Sequence, residues 1–184
     1  GIYSVNPDAE VYVKVTNSWY DPKAEEEASR KLLDMNCDVI AQHCDTVYPQ
    51  TLAQQKGVYS IGYNSDMSKE APEACLCSVI WNWSAYYTSA VQSVIDGTWD
   101  GSNYYGGMNE NLVSITPIAD FAAAATKEKV NMAKQQILSG KNGVFDGVIE
   151  TNTGAEVGTA GKTLEDSVIT GGINWYFKTV KVIE

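Results

Sequence analysis

Asp38-Val39-Ile40-Ala41-Gln42, then Pro49 to Lys56, then Gly57-Val58-Tyr59-Ser60-Ile61-Gly62, is the stretch that decides the fold. The first run is short, apolar and β-branched at Val39 and Ile40, which predicts a strand. Pro49 suits the first turn of a short helix, and Gly57 closes it with a residue free to leave the helical conformation. The third run predicts another strand. Strand, helix and strand at this spacing form a βαβ unit, whose strands are parallel and whose crossover is right-handed.

The same alternation extends in both directions. Upstream, Val11-Tyr12-Val13-Lys14-Val15-Thr16 predicts a strand, and Asp21-Pro22 opens a helix with Ala24, Ala28, Leu32 and Leu33 as its apolar stripe. Downstream, Cys75-Leu76-Cys77-Ser78-Val79-Ile80 predicts a fourth strand, and Trp83 to Ile95 a helix stopped by Asp96-Gly97. The pattern predicts an α/β fold with a Rossmann-like parallel sheet, its near-continuous apolar strands covered on both faces. Beyond it the chain is less regular. Asn111 to Thr116 predicts a strand, Lys127 to Leu138 a helix, and Val144 to Glu150 with Glu156-Val157 a hairpin around Asn152-Thr153-Gly154. Thr163 to Asp166 opens a short helical turn, and Asn174-Trp175-Tyr176-Phe177 predicts an extended piece.

The chain has 184 residues, 44% of them hydrophobic, which is enough for a globular core. A net charge of −10 argues against nucleic-acid backbones and anionic lipid as partners. No run approaches the roughly 18 apolar residues of a membrane span. No signal peptide or lipid-attachment cysteine opens the chain, and Gly1 to Asp8 reads like a helix end running into a turn. The expectation is a chain that begins inside a longer protein, with localisation signals upstream. Cys37 and Cys44 flank a strand at roughly 20 Å, and Cys75 and Cys77 share a strand face at about 6.5–7 Å, so neither pair is in comfortable disulfide reach. Four free thiols are expected, three of them buried. The cysteine spacing with one His in the chain offers no zinc site, and no other metal or cofactor motif is present.

The informative observation is positional. The predicted strands run into Asn17-Ser18-Trp19-Tyr20, His43-Cys44-Asp45-Thr46, Tyr63-Asn64-Ser65-Asp66 and Trp81-Asn82-Trp83. In an open parallel sheet these ends share one edge, and ligands bind outside it. The clusters contain no Lys, Arg or Gly-rich cradle, which disfavours a phosphorylated ligand. Aromatic rings with Asp, Asn and His fit a neutral, flat, hydrogen-bonding ligand, either a sugar or a nucleobase. Alternative readings stand beside this one. Trp19 also suits a strand cap, His43 a hydrogen-bonded structural role, Asp66 a turn former before Met67-Ser68-Lys69, and Trp83 the core. Catalysis is not expected. His43 and Cys44 are adjacent and point to opposite faces of a strand, and no second His exists to serve as base. Asp45 and Asp66 are chemically able to act as acid and base, but nothing in the sequence sets their separation.

At these same clusters the chain resembles the basic membrane protein family of ABC-transporter substrate-binding lipoproteins, of the purine nucleoside-binding type. The resemblance lies in Ser4 to Ala9, Thr16 to Pro22, Asp38-Val39-Ile40 with Gln42 to Asp45, and Gly57 to Met67. It continues through Ser78 to Trp83, Asp96 to Trp99, Ser139 to Lys141, Phe145 to Gly147 and Asn174 to Tyr176. It implies a type I periplasmic-binding fold, two Rossmann-like lobes closing on ligand, of which this chain is the C-terminal half. Residues 1–80 are then expected to form the βαβ ligand-binding lobe, and 81–184 the hinge-crossing helix and C-terminal segments.

The resemblance also implies an extracytoplasmic importer component, periplasmic or anchored as a lipoprotein, delivering a purine base or nucleoside to an ABC permease without cofactor or catalysis. A sensing domain of a signalling protein is the alternative, and a nucleoside- or sugar-processing enzyme a more distant one. Trp19, His43, Asp45, Asn64, Asp66, Trp81 and Asn82 are the expected ligand-binding residues. The family's acidic group for the ribose hydroxyls is matched here by Asn64, with Asp66 two residues on. An amide reads a base edge better than it grips a diol, so a free base is as well suited as a nucleoside. A chain lacking one lobe is also expected to self-associate.

Overall fold

Asp21 begins a thirteen-residue helix by capping it. Its carboxylate accepts a hydrogen bond from the Ala24 amide at 3.0 Å, Pro22 occupies the first turn, and the helix α2 runs Pro22–Asp34. It follows a short helix α1 (Ile2–Val5) and a strand β1 (Val11–Lys14) in a computed structural model that describes residues 1–141 and 143–184. The remaining elements are β2 (Val39–Ala41), α3 (Tyr48–Lys56), β3 (Tyr59–Asn64), β4 (Cys75–Trp81), α4 (Ser84–Ile95), β5 (Val113–Ile115), α5 (Ala124–Leu138), β6 (Asp146–Glu150), β7 (Glu156–Thr163), α6 (Asp166–Gly171) and β8 (Val180–Ile183). The chain divides into two compact units, one of Thr16–Lys127 and one of Gly1–Val15 with Glu128–Glu184.

In the first of these units a four-stranded sheet has the order β2-β3-β4-β5. β2, β3 and β4 are parallel, in register Ile40↔Ser60 and Gly62↔Ser78, and β5 is antiparallel to β4. The expected βαβ unit is present, and Gly57 closes α3 at φ 76°, a left-handed conformation that costs glycine nothing. Leu33 of α2, Ile40 of β2 and Leu52 and Ala53 of α3 form the core, with Leu32, Cys37 and Val58 against it. Met67, Ala71, Ala74 and Cys75 form a second buried cluster beside Val47.

Gly62 is set by packing rather than by backbone angle. A Cβ there would lie 2.3 Å from the Ser78 hydroxyl and 3.1 Å from Met67 Cβ. That hydroxyl is already committed, accepting from the Met67 amide at 3.1 Å, while the Ser78 amide donates to Thr116 Oγ1 at 2.9 Å.

Several expectations are corrected. β1 does not join β2, β3 and β4; it pairs in parallel with β8 as a separate two-stranded sheet, Val11↔Val180 to Lys14↔Ile183. Local periodicity predicts that a segment is extended, but its pairing partner is chosen across the whole chain. β8 itself was not expected. Its Val-Lys-Val-Ile alternation is short, and the anticipated extended piece at Asn174–Phe177 yields one bridge, Phe177 to Thr151.

The four-stranded sheet is also not covered on both faces. α2 and α3 cover the face of Ile40, while Val39 and Tyr59, at alternate positions, remain 42% and 49% exposed. α4 contributes no buried residue. Of the four free thiols only Cys75 is buried; Cys37 and Cys44, just outside β2, are half-buried, and so is Cys77 inside β4.

The other unit holds, besides the β1–β8 pair, the β6–β7 hairpin, in register from Gly147↔Thr159 to Glu150↔Glu156. Lys178 pairs with Glu150 at 2.9 Å, and its ammonium lies 5.9 Å from the Tyr3 ring centre. Lys181 bonds to Glu10, whose carboxyl that bond holds below the usual carboxylate range.

Candidate functional site

Parallel strands place their C-terminal ends on one edge, and the loops that follow β2 and β3 meet there with the Thr16–Asp21 segment that enters α2. The turn after β2 is shaped by two side-chain amides, Gln42 half-buried and Gln50 buried. Gln42 Nε2 donates to Gln50 Oε1 at 2.7 Å and to the Thr46 carbonyl at 2.8 Å, and its Oε1 accepts from the Cys44 amide at 3.2 Å. Gln50, fully buried on α3, donates onward to the Ile61 carbonyl at 3.1 Å. A satisfied buried network of this kind fixes one turn conformation and leaves His43 and Asp45 directed outward, both exposed. The Asp45 amide donates to the Trp19 carbonyl at 2.9 Å, which ties the two loops together.

The rings then meet. The Trp19 ring lies 5.1 Å from the His43 ring at 75°, and the His43 ring lies 4.3 Å from Tyr63 at 78°. Both contacts are edge-to-face, the arrangement that ring quadrupoles favour. Trp19 is 60% exposed, so its indole is held by these contacts and not by a core. Next to Tyr63, Asn64 ends β3 at φ 66°, a conformation Asn tolerates better than most residues and one that turns its side chain out of the strand. Neither the Asp45 carboxylate nor the Asn64 amide has a hydrogen-bond partner among the described residues, so both are free to bond a ligand.

The other expected residues are placed differently. Asp66 is a turn former: its carboxylate accepts from the Ser68 amide at 3.0 Å, and that bond holds its carboxyl below the usual carboxylate range. Asn82 anchors the exit of β4: its backbone N–H donates to the Leu112 carbonyl at 2.8 Å, and its side-chain Oδ1 accepts from Ser84 Oγ at 2.5 Å. Trp81 is half-buried at the end of β4 and stacks on Trp83 at 5.4 Å and 22°; Trp83 in turn stacks on Tyr87 at 5.9 Å and 19°. Trp83, expected in the core, is 47% exposed, because the helix it precedes buries none of its residues.

The Trp81 run shares no ring contact with the Trp19–His43–Tyr63 run. Cys44 sits 3.7 Å from Thr16 Oγ1. Among the described residues no three His, Cys, Asp or Glu side chains gather as metal ligands.

Two kinds of site residue were not anticipated. Tyr63 was visible in its cluster, and strand alternation with Ile61 places it on the face opposite Gly62, yet only the ring geometry shows that it backs His43. Glu25, Gln42 and Gln50 looked like ordinary polar residues of helices and strand ends. The burial of Glu25 and Gln50, and the half-burial of Gln42, are tertiary facts. The concavity lined by Arg30, Leu33, Asp34, Leu52, Gln55 and Lys56 lies toward the C-terminal ends of α2 and α3 and belongs to the opposite edge of the sheet.

Comparison with known proteins gives a consistent picture. The family model described as ABC transporter substrate-binding protein PnrA-like matches residues 1–144. A purine-binding protein of Brucella abortus is 36% identical over 176 residues, which is 96% of this chain and 50% of that protein. A proposed ABC transporter glucose-binding protein of Haloferax volcanii is 33% identical over 80% of this chain and 38% of its own length. The chain thus spans half, or less, of the length of these relatives. Among solved structures, an ABC transporter solute-binding protein from Conexibacter woesei superposes with a TM-score of 0.57 at 20% identity, over 77% of this chain and 48% of that one, a likeness of fold. Family model, relatives and fold agree: the chain belongs to the PnrA-like family of ABC transporter substrate-binding proteins.

Proposed function

We propose that this chain is the C-terminal half of an extracytoplasmic ABC substrate-binding protein and that it grips a purine base or nucleoside at the C-terminal ends of β2, β3 and β4. The observation that carries this reading is the Trp19–His43–Tyr63 ring run with the unpartnered Asp45 carboxylate and Asn64 amide beside it. An exposed indole offers a flat face on which a base stacks, a contact worth roughly 1–3 kcal/mol in other base-binding proteins. A carboxylate accepts from ring or exocyclic N–H groups, and an amide both donates and accepts along a base edge. Kinship with a purine-binding protein over nearly the whole chain supports the same ligand class.

In this reading the protein delivers its ligand to an ABC permease and carries out no chemistry on it. Residues 1–80 bear the ligand edge and 81–184 the crossing helix and closing segments. Asp66, Trp81 and Asn82 flank the edge, Asp66 and Asn82 shaping it through the bonds described above. The relative named for glucose makes a sugar the competing ligand. Titration calorimetry of the full-length protein separates the two. Binding of adenine, guanine or their nucleosides with glucose inert is expected, and glucose binding with purines inert contradicts the proposal.

A further inference from the structure

Glu25 is the one acid of the Glu25-Glu26-Glu27 run that turns inward. Glu26 pairs with Arg30 at 2.7 Å and Glu27 with Lys23 at 3.8 Å on the exposed face of α2, whereas Glu25 is 1% exposed. A buried carboxylate is costly unless its lone pairs are filled. Here they are filled by neutral donors, and the two oxygens divide between two loops. Oε1 accepts from the Asp21 amide at 3.1 Å, at the end of the segment that carries Trp19. Oε2 accepts from the Thr46 amide at 3.2 Å and the Thr46 hydroxyl at 2.5 Å, directly after His43-Cys44-Asp45. The position in the first turn of α2 adds the favourable end of the helix dipole.

We propose that Glu25 is a positioning residue for ligand binding: its buried carboxylate latches the Trp19 loop and the His43–Asp45 loop to one point and so sets the spacing of the side chains they present. The two loops meet again at the Asp45 amide and the Trp19 carbonyl, so the latch and that bond close one ring of contacts behind the exposed rings. Helix stability alone does not require this arrangement, since Asp21 already caps α2. The proposal rests on the ligand edge described under Proposed function.

The test is a double-mutant cycle in the full-length protein. Glu25→Gln keeps the shape, but a carboxamide has one acceptor oxygen, and its NH2 group cannot receive a bond from an amide or a hydroxyl. At least one backbone N–H, of Asp21 or of Thr46, is left unanswered, so one loop is held more weakly. Affinity for adenine and adenosine, by calorimetry, is expected to fall about tenfold in Glu25→Gln and by less than about twofold when the same change is made on Asp45→Ala. Unchanged affinity in a folded Glu25→Gln protein overturns the proposal, and so does an equal loss on both backgrounds.

A second arm needs no ligand. Exchange of the Asp45 amide proton, which bonds Trp19 and not Glu25, is expected to quicken about tenfold in Glu25→Gln, and unchanged exchange overturns the latch. Wild-type protein that binds no purine would sink the ligand assignment, and the exchange arm would then decide the latch by itself. Should Glu25→Gln not fold, Thr46→Val is expected to weaken binding while Thr46→Ser, which keeps the hydroxyl, restores it. Equal binding by both Thr46 variants overturns the proposal.

Discussion

Replacing Trp19 by alanine in the full-length protein separates binding from folding more cleanly than any other change at the site. The indole is 60% exposed and rests on the His43 ring, outside the Leu33–Ile40–Leu52–Ala53 core. Truncating it opens no cavity, so the fold should lose no more than about 0.5 kcal/mol, the usual range for an exposed position. The ligand, by contrast, loses a stacking wall. At roughly 1–3 kcal/mol that is about 5- to 150-fold in Kd. Calorimetry with adenine and adenosine reads the first quantity and a thermal melt the second. The matched control is Trp99→Ala, since Trp99 is similarly exposed but follows the Gly97 turn at the far end of α4. A Trp19→Ala protein that melts normally and binds with wild-type affinity refutes the strand-edge site. A weakening equal to that of Trp99→Ala refutes it as well.

Asp45→Ala and Asn64→Ala each remove a polar group with no hydrogen-bond partner among the described residues, so each should weaken purine binding by about 5- to 150-fold, with melting unchanged, as calorimetry and a thermal melt will read. Trp81→Ala is expected to weaken binding by a similar factor, and an equally lowered melting temperature with intact affinity would assign Trp81 to structure alone. Gly62→Ala should destabilise the fold by about 1–3 kcal/mol, measured by denaturant unfolding, because the added methyl overlaps the Ser78 hydroxyl that holds Met67. The isolated 184-residue chain should bind purines weakly and self-associate, since Val91, Val94 and Ile95 of α4 are 60%, 61% and 72% exposed. Light scattering that reports a monomer at high concentration would contradict the second half of that expectation.

The βαβ unit was legible because every signal in Asp38–Gly62 agrees: β-branched runs, a proline at the helix start and a glycine at its end. The gathering of polar and aromatic residues at one edge of the sheet was legible for a related reason. Parallel topology alone sends the ends of β2, β3 and β4 to one side, and the residues there are polar and aromatic. Sheet membership was not legible for β1, because its partner β8 lies at the other end of the chain and pairing over that distance leaves no local trace. Trp83 looked like core because it precedes an apolar helix, but α4 has no covering element among the described residues and the apolar pattern is unanswered. Glu25 was hidden in a run of three acids that reads as a solvated helix face. Only the position of Thr46, brought beside it by the β2 turn, shows that one of the three is buried and bonded.

The account depends most on the identity of the ligand. Full-length protein purified without added ligand, washed and denatured, should release a small molecule that mass spectrometry can weigh. The mass of a purine base or nucleoside, released in near-stoichiometric amount and lost from the Trp19→Ala protein, is the predicted result. A hexose in its place, retained equally by wild-type and Trp19→Ala protein, would contradict both the ligand class and the site.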